Sequence, residues 1–327
     1  MTLRPLLLGV VALVAALSQS MLPSQAQLQA PAWPQRTVKF IVPLGPGSGV
    51  DTTARILANR LSTHWGKPVV IENRPGGDGF VAIGAFVGAR DDHILLFSPT
   101  SAFTAHPFLY EKLPYDPRDL VPIARVSSTL AGVGVPASLK IGSLAELVAL
   151  ARAEPGKLNW AGITGALDLA FAGFLNSAGL NINKIPYRDG VQAVNDLAEG
   201  RIQVYLTALA IIRPHIEAGK VKLIAIANQE RAPSAPDVQT AVEAGYPALT
   251  FDGLVGLFGS RDMTVELRDR IAADVQAVAS EPAIVAQLEA NNQLVRPGNS
   301  SAFAAAIDVQ RSQIEAASRS LGIKPNR

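Results

Sequence analysis

Between Val38 and Asp51 the chain changes its hydrophobic period within one short stretch, and few folds accommodate that change. Val38, Phe40 and Val42 alternate with Lys39 and Ile41, the period of two expected of a largely buried strand, and Pro43 removes a backbone donor and ends it. From Asp51 onward Ala54, Leu57, Ala58, Leu61 and Trp65 fall on one face of a helix, with Asp51 placed to cap it. The join contains Gly45, Gly47 and Gly49 and no bulky polar side chain. Glycine lets backbone N–H groups approach a ligand closely, and a helix N-terminus adds partial positive charge, so such a loop holds an anion without lysine or arginine.

Sharper motifs do not fit this loop. The third glycine of G-x-G-x-x-G would fall at Val50, and no Lys-Ser/Thr pair follows as in a phosphate-binding P-loop. Ser48 has glycine on both immediate sides, whereas a nucleophile elbow needs glycine two positions away, where Pro46 stands. An anion-holding loop and a plain Gly/Pro turn are the two readings left.

The same strand–loop–helix grammar continues. Strands are predicted at 37–42, 68–72 and 93–97 and helices at 51–64 and 79–89, so the loops Pro43–Val50, Asn73–Asp78 and Ser98–Thr104 should meet at the carboxyl edge of one parallel sheet. After the turn-rich Leu113-Pro114-Tyr115-Asp116-Pro117 a second unit is predicted from Arg125, with strands at 132–135, 158–161, 182–186, 203–206 and 222–227 and helices between them. Past Arg231–Pro236 come an apolar run at 253–258 and helices at 264–279, 282–290 and 300–321. The first unit has too few helices to cover its sheet, so this tail is expected to return to it. The predicted organisation is an α/β chain of two lobes: a leader at 1–26, a discontinuous first lobe at 27–124 and 229–327, and a second lobe at 125–228, with a cleft between them.

Composition narrows the function. Lys and Arg number 29 against 27 Asp and Glu, and aromatics make up 6%, so there is neither a basic footprint nor a stacking platform for nucleic acid. Cysteine is absent, which removes disulfides, thiolate metal sites and a cysteine nucleophile. His64, His93, His106 and His215 are scattered, so no metal is expected, and no cofactor motif emerges. Arg4, the apolar run Leu6–Leu17 and the small residues Ser24 and Ala26 read as a cleavable signal peptide cut before Gln27, which predicts an exported mature chain that does not insert into the membrane.

Several ordered blocks resemble those of the Bug-type extracytoplasmic receptors of tripartite tricarboxylate transporters. They are Ile41–Asp51, Val70-Ile71-Glu72-Asn73-Arg74-Pro75-Gly76-Gly77 and Leu113–Ile123, with weaker echoes at Ile185–Gly190 and Gly253–Phe258. The resemblance implies a two-lobed type II periplasmic-binding-protein fold, each lobe a mostly parallel sheet flanked by helices. It also implies no catalysis, and a small carboxylated ligand handed to the membrane subunits of such a transporter or, alternatively, presented to a sensor kinase. A secreted enzyme is the remaining alternative.

On the first lobe the family pattern falls on Gly45, Pro46, Gly47, Ser48 and Asp51; the amides of Gly47, Ser48 and Gly49 are expected to donate to the ligand, with Asp51 ordering the loop as helix cap. On the second it falls on the turn from Gly162 to Asp168, which makes Thr164, Gly165 and Ala166 candidates. There this chain lacks the family's usual histidine and adds Asp168, which disfavours a dianion relative to a monocarboxylate or an amino or aromatic acid. Strand ends add Thr100, Ser101, Tyr187, Arg188 and Thr207 as candidates, while Arg74 is expected to pair with Glu72.

Overall fold

Alternation of apolar residues produces β1 (Val38–Val42), whose Val38, Phe40 and Val42 are fully buried. It is the centre of a parallel trio, paired with β2 (Val69–Asn73) on one side and β3 (Ile94–Pro99) on the other. α1 (Gly49–Trp65) and α2 (Phe80–Ala89) make the crossovers. α1 buries Val50, Ala54, Leu57, Ala58 and Leu61, the predicted face, and ends at Gly66 in the left-handed region. This computed structural model describes residues 33–163 and 165–324, without the side chains at 101 and 102. The leader expected at 1–26 lies outside the described residues.

Three antiparallel strands complete the larger sheet: β4 (Val121–Thr129), β10 (Gly253–Gly259) and β11 (Gln293–Gly298), in the order β11-β4-β10-β3-β1-β2. A second layer system follows β4 after one residue, Leu130. It consists of β5 (Ala131–Pro136) between β8 (Tyr205–Ala208) and β9 (Val221–Ile226), both antiparallel to it, beside the parallel pair β6 (Asn159–Gly162) and β7 (Asn183–Pro186). α3 (Leu144–Ala153), α4 (Ala166–Ser177), α5 (Gly190–Ala198) and α6 (Leu209–Glu217) cover it. The expected mostly parallel sheets are therefore corrected to mixed ones. The reason is connectivity: β4 leaves the large sheet for the small one and β10 re-enters it, so these neighbours run in opposite directions. Arg125, the expected start of the second lobe, lies inside β4, opposite Gly256 and Gly298.

The two chain crossings are joined by one side chain. Fully buried Asn228 accepts from the Ala131 N–H at 2.9 Å and donates to the Thr129 carbonyl at 3.1 Å and to Asp252 Oδ1 at 3.2 Å. The tail helices α7 (Val265–Ala279) and α8 (Pro282–Ala290) pack on α1 as expected. α9 (Ser300–Ser320) lies against both β4 and α4 of the second lobe, so close that a Cβ added to Gly173 would stand 2.9 Å from that of Ala317. β4 and β11 carry Pro122 and Pro297, which mask them as strands in the sequence.

Candidate functional site

The glycine loop is held by a network that points away from the cleft. Ser48, not Asp51, is the helix cap: its Oγ accepts from the Asp51 N–H at 3.2 Å, and α1 begins at Gly49. Asp51 sits in the first turn, buried, and its Oδ2 accepts from the Gly47 N–H at 2.8 Å and from Arg55 Nε at 3.0 Å. Its Oδ1 accepts from Asn73 Nδ2 at 2.8 Å, and the same amide nitrogen donates to the Leu44 carbonyl at 2.9 Å. Burial pushes the Asp51 carboxyl up, but the hydrogen bonds from Arg55, Asn73 and Gly47 outweigh it, and the group is held below its ordinary range. Gly47, at φ +83°, provides the left-handed turn that this arrangement requires.

The donors left for a ligand therefore differ from those expected. The Gly47 N–H serves Asp51, and the Ser48 N–H bonds the Gly45 carbonyl at 3.3 Å. Gly49 and Val50, the first residues of α1, have N–H groups with no acceptor among the described residues. The Gly49 carbonyl is fixed from behind by Thr53 Oγ1 at 2.7 Å and Asn291 Nδ2 at 2.9 Å. Two residues beyond Asn291, Gln293 on β11 brings its Nε2 to 3.6 Å from where a Cβ of Gly49 would be. Its Oε1 accepts from Ser127 Oγ at 2.8 Å, which leaves Nε2 without an acceptor among the described residues.

Facing this wall is the N-terminus of α4. Gly165, at φ +146°, precedes the helix, and Ala166 and Asp168 lie in its first turn. Lys184 Nζ donates to Asp168 Oδ2 at 2.7 Å and stands 5.4 Å above the Trp160 ring. The side chain of Asp168 is 8% exposed, and its Oδ1 is buried with no hydrogen-bond partner among the described residues. Burial pushes this carboxyl up, against the pull of Lys184.

A cavity of about 540 Å³ lies between the walls. Gly47, Ser48, Gly49, Gly165, Ala166 and Thr207 of the predicted residues line it, with Gln293, Asp168, Trp160, Ile163, Phe171 and Tyr205 among the rest. No lysine or arginine is among its lining residues. A second cavity of about 420 Å³ shares Leu44, Pro99, Gly165 and Ala166 with it and takes Gly45 and Pro75–Gly79, so the three loops predicted to converge do so. His106 borders this second cavity, with Nδ1 2.9 Å from the Tyr115 hydroxyl and Nε2 3.0 Å from the Asp78 carbonyl, and burial lowers it to about 4.

The remaining candidates lie elsewhere. Pro46 and Asp51 shape the loop without lining either cavity. Thr100 is fully buried and donates to Gln310 Oε1 at 2.6 Å. Ser101 starts a short helical turn, and Thr164 lies outside the described residues. The Tyr187 hydroxyl donates to Asp196 at 2.7 Å, Arg188 is exposed and lines neither cavity, and Arg74 bonds Glu72 as expected. Gln293 escaped the sequence reading because it lies about 240 residues from the loop it completes.

The family described as "Tripartite tricarboxylate transporter family receptor" matches residues 53–318. BugT of Bordetella pertussis is 34% identical over 227 residues, covering 68% of this chain and 70% of that one. Among solved structures, a Rhodopseudomonas palustris protein with adipate superposes with a TM-score of 0.79 at 25% identity, covering 90% of this chain and all of the other. MatC of the same species, with bound malate, gives 0.73 at 25% identity over 88% of this chain and 100% of its own.

Proposed function

Because this chain belongs to the tripartite tricarboxylate transporter receptor family, we propose that it is an exported receptor. It holds a small carboxylate in the larger cavity and presents the loaded form to the membrane subunits of a transporter. One observation carries the choice of ligand. The free N–H groups of Gly49 and Val50 and the Gln293 amide converge on a cavity whose lining has no cationic side chain. A carboxylate accepts several neutral donors at once and gains from the helix N-terminus, so this wall suits an anion without a counter-ion. Relatives solved with adipate and malate accord with that reading.

In this reading residues 1–26 are an export leader removed after Ala26. The lobes, 27–124 with 229–327 and 125–228, close about the crossings that Asn228 joins. No nucleophile–base pair borders the cavity, and binding without turnover is the expected behaviour. Among the described residues no helix is long and apolar enough to cross a membrane.

The test is thermal unfolding of the mature protein, refolded to remove bound solute, against mono-, di- and tricarboxylates, amino acids and aromatic acids. A ligand at a hundred times its Kd adds about 2.7 kcal/mol, a midpoint rise of about 5 °C for a chain of this size. A rise confined to carboxylates with unchanged ligand afterwards supports the receptor reading, and no rise with any acid refutes the carboxylate site. Uptake of the bound acid lost on gene deletion supports delivery to a transporter. Unchanged uptake with altered gene expression would instead mean presentation to a sensor kinase.

A further inference from the structure

The donors of the first wall occupy one end of the larger cavity, and the side chains that stand open over the rest of it are hydrocarbon. Leu44 lines it from the first lobe, and Ile163, Leu167 and Ile211 line it from the second. None of the four is packed away: Ile163 and Leu167 are half-buried, and Leu44 and Ile211 are 37% and 38% exposed. The polar side chains of the lining are placed otherwise. Ser48 caps α1, and Thr129 lies opposite Gln293 in the sheet, so both belong to the carboxylate end. Tyr205 and Thr207 are buried, and Asp168 is buried against Lys184.

A hydrocarbon laid on open apolar side chains gains in proportion to the area it takes from water, whereas a hydroxyl brought to the same place gives up its water and finds few partners. Because these side chains come from both lobes, one ligand body can cover both at once. We infer that this receptor selects carboxylates whose body is bare hydrocarbon, a chain or a ring without hydroxyl groups. The carboxylate lies on Gly49, Val50 and Gln293, and the body between Leu44 on one side and Ile163, Leu167 and Ile211 on the other. The inference rests on the carboxylate-receptor reading above and adds the chemistry of the rest of the ligand.

Calorimetric titration of the refolded mature protein tests it with pairs that share carbon skeleton and charge: hexanoate and gluconate, cyclohexanecarboxylate and quinate, adipate and galactarate. In each pair that binds, the hydrocarbon acid should be tighter by about tenfold or more. Its binding enthalpy should also become more negative as temperature rises, the mark of buried apolar surface. Leu167→Asn and Ile211→Thr, which keep size but add a polar group, should each bring the members of a pair about threefold or more closer together. Should the first variant fail to fold, the second still serves, since it replaces an exposed side chain. A hydroxylated acid binding as tightly as its hydrocarbon partner overturns the inference and leaves the receptor intact. So does a preference that both variants leave unchanged. Where only an acid of the wider panel binds, its own hydroxylated or unhydroxylated counterpart decides in the same way. If the folded, empty protein binds no acid at all, the receptor reading itself falls, and this inference with it.

Discussion

The two walls of the cavity are both helix N-termini at the end of a strand, yet they are built on opposite principles. The loop before α1 has every side chain satisfied: Ser48 caps, and Asp51 is shared by Gly47, Arg55 and Asn73, so only backbone N–H groups and one amide are left over. The turn before α4 has no side-chain cap and keeps a buried, half-partnered carboxylate. A wall made of backbone recognises a charge and little else, since any carboxylate presents the same oxygens. In the proposed reading the first wall holds the anion, and the second closes the cavity without adding a cationic side chain to its lining.

The largest effect should come from the backbone of the first wall. Gly47→Val puts a β-branched residue at φ +83°, which costs roughly 1–3 kcal/mol of strain or forces the loop to rearrange. Space is not the issue, since a Cβ there meets nothing within 4 Å. Affinity for the best acid should fall by about a hundredfold with the circular dichroism spectrum unchanged; full binding would mean that this loop does not hold the ligand. Gln293→Met, close in shape but without a donor, should cost about tenfold in affinity for every carboxylate alike. A loss that differs between amino acids and dicarboxylates would blur the division between the walls.

Asp51→Asn should act mainly on stability, by about 1–3 kcal/mol at neutral pH, with only a few-fold loss of affinity. The Asp51 carboxyl is depressed in the fold, so its contribution is present above the unfolded value near 4 and disappears as pH falls through the folded value. The difference in unfolding midpoint between parent and variant should therefore shrink on acidification below about pH 4. Smallest of all, Arg188→Ala and Tyr187→Phe should leave affinity within about twofold. The first removes an exposed side chain, and the second a hydroxyl that serves Asp196 rather than the cavity.

What could be read from the chain follows the range of the interactions. The glycine loop of the first wall was legible because its period change, glycines and cap lie within fifteen consecutive residues. Even there the cap was displaced by three residues, since Ser48 and Asp51 act together and the sequence cannot say which faces the N–H. Asp168 stood out as a departure from a family pattern, but its missing partner is a property of packing. Gln293 left no local signal, because it reaches the site by the pairing of β11 with β4. Tyr187 and Arg188 sit at a strand end as expected, but the cavity is lined instead by Tyr205 and Thr207, which lie on β8. Strand polarity was misread for the same reason: only the return path of the chain makes β10 antiparallel to its neighbours.

Asn228 ties the two chain crossings together beside the larger cavity. Its partners Thr129 and Ala131 line the larger cavity, and so does Gly253, the residue after its third partner Asp252. In the proposed reading, a solute in that cavity would touch both crossings at once. There its shape would count for more than its reach: a bulky group wedged between the crossings would hold the lobes apart, whereas a slim one would let them come to rest. The membrane partner would then be shown a dimension of the cargo, its width at the crossings, as well as its charge.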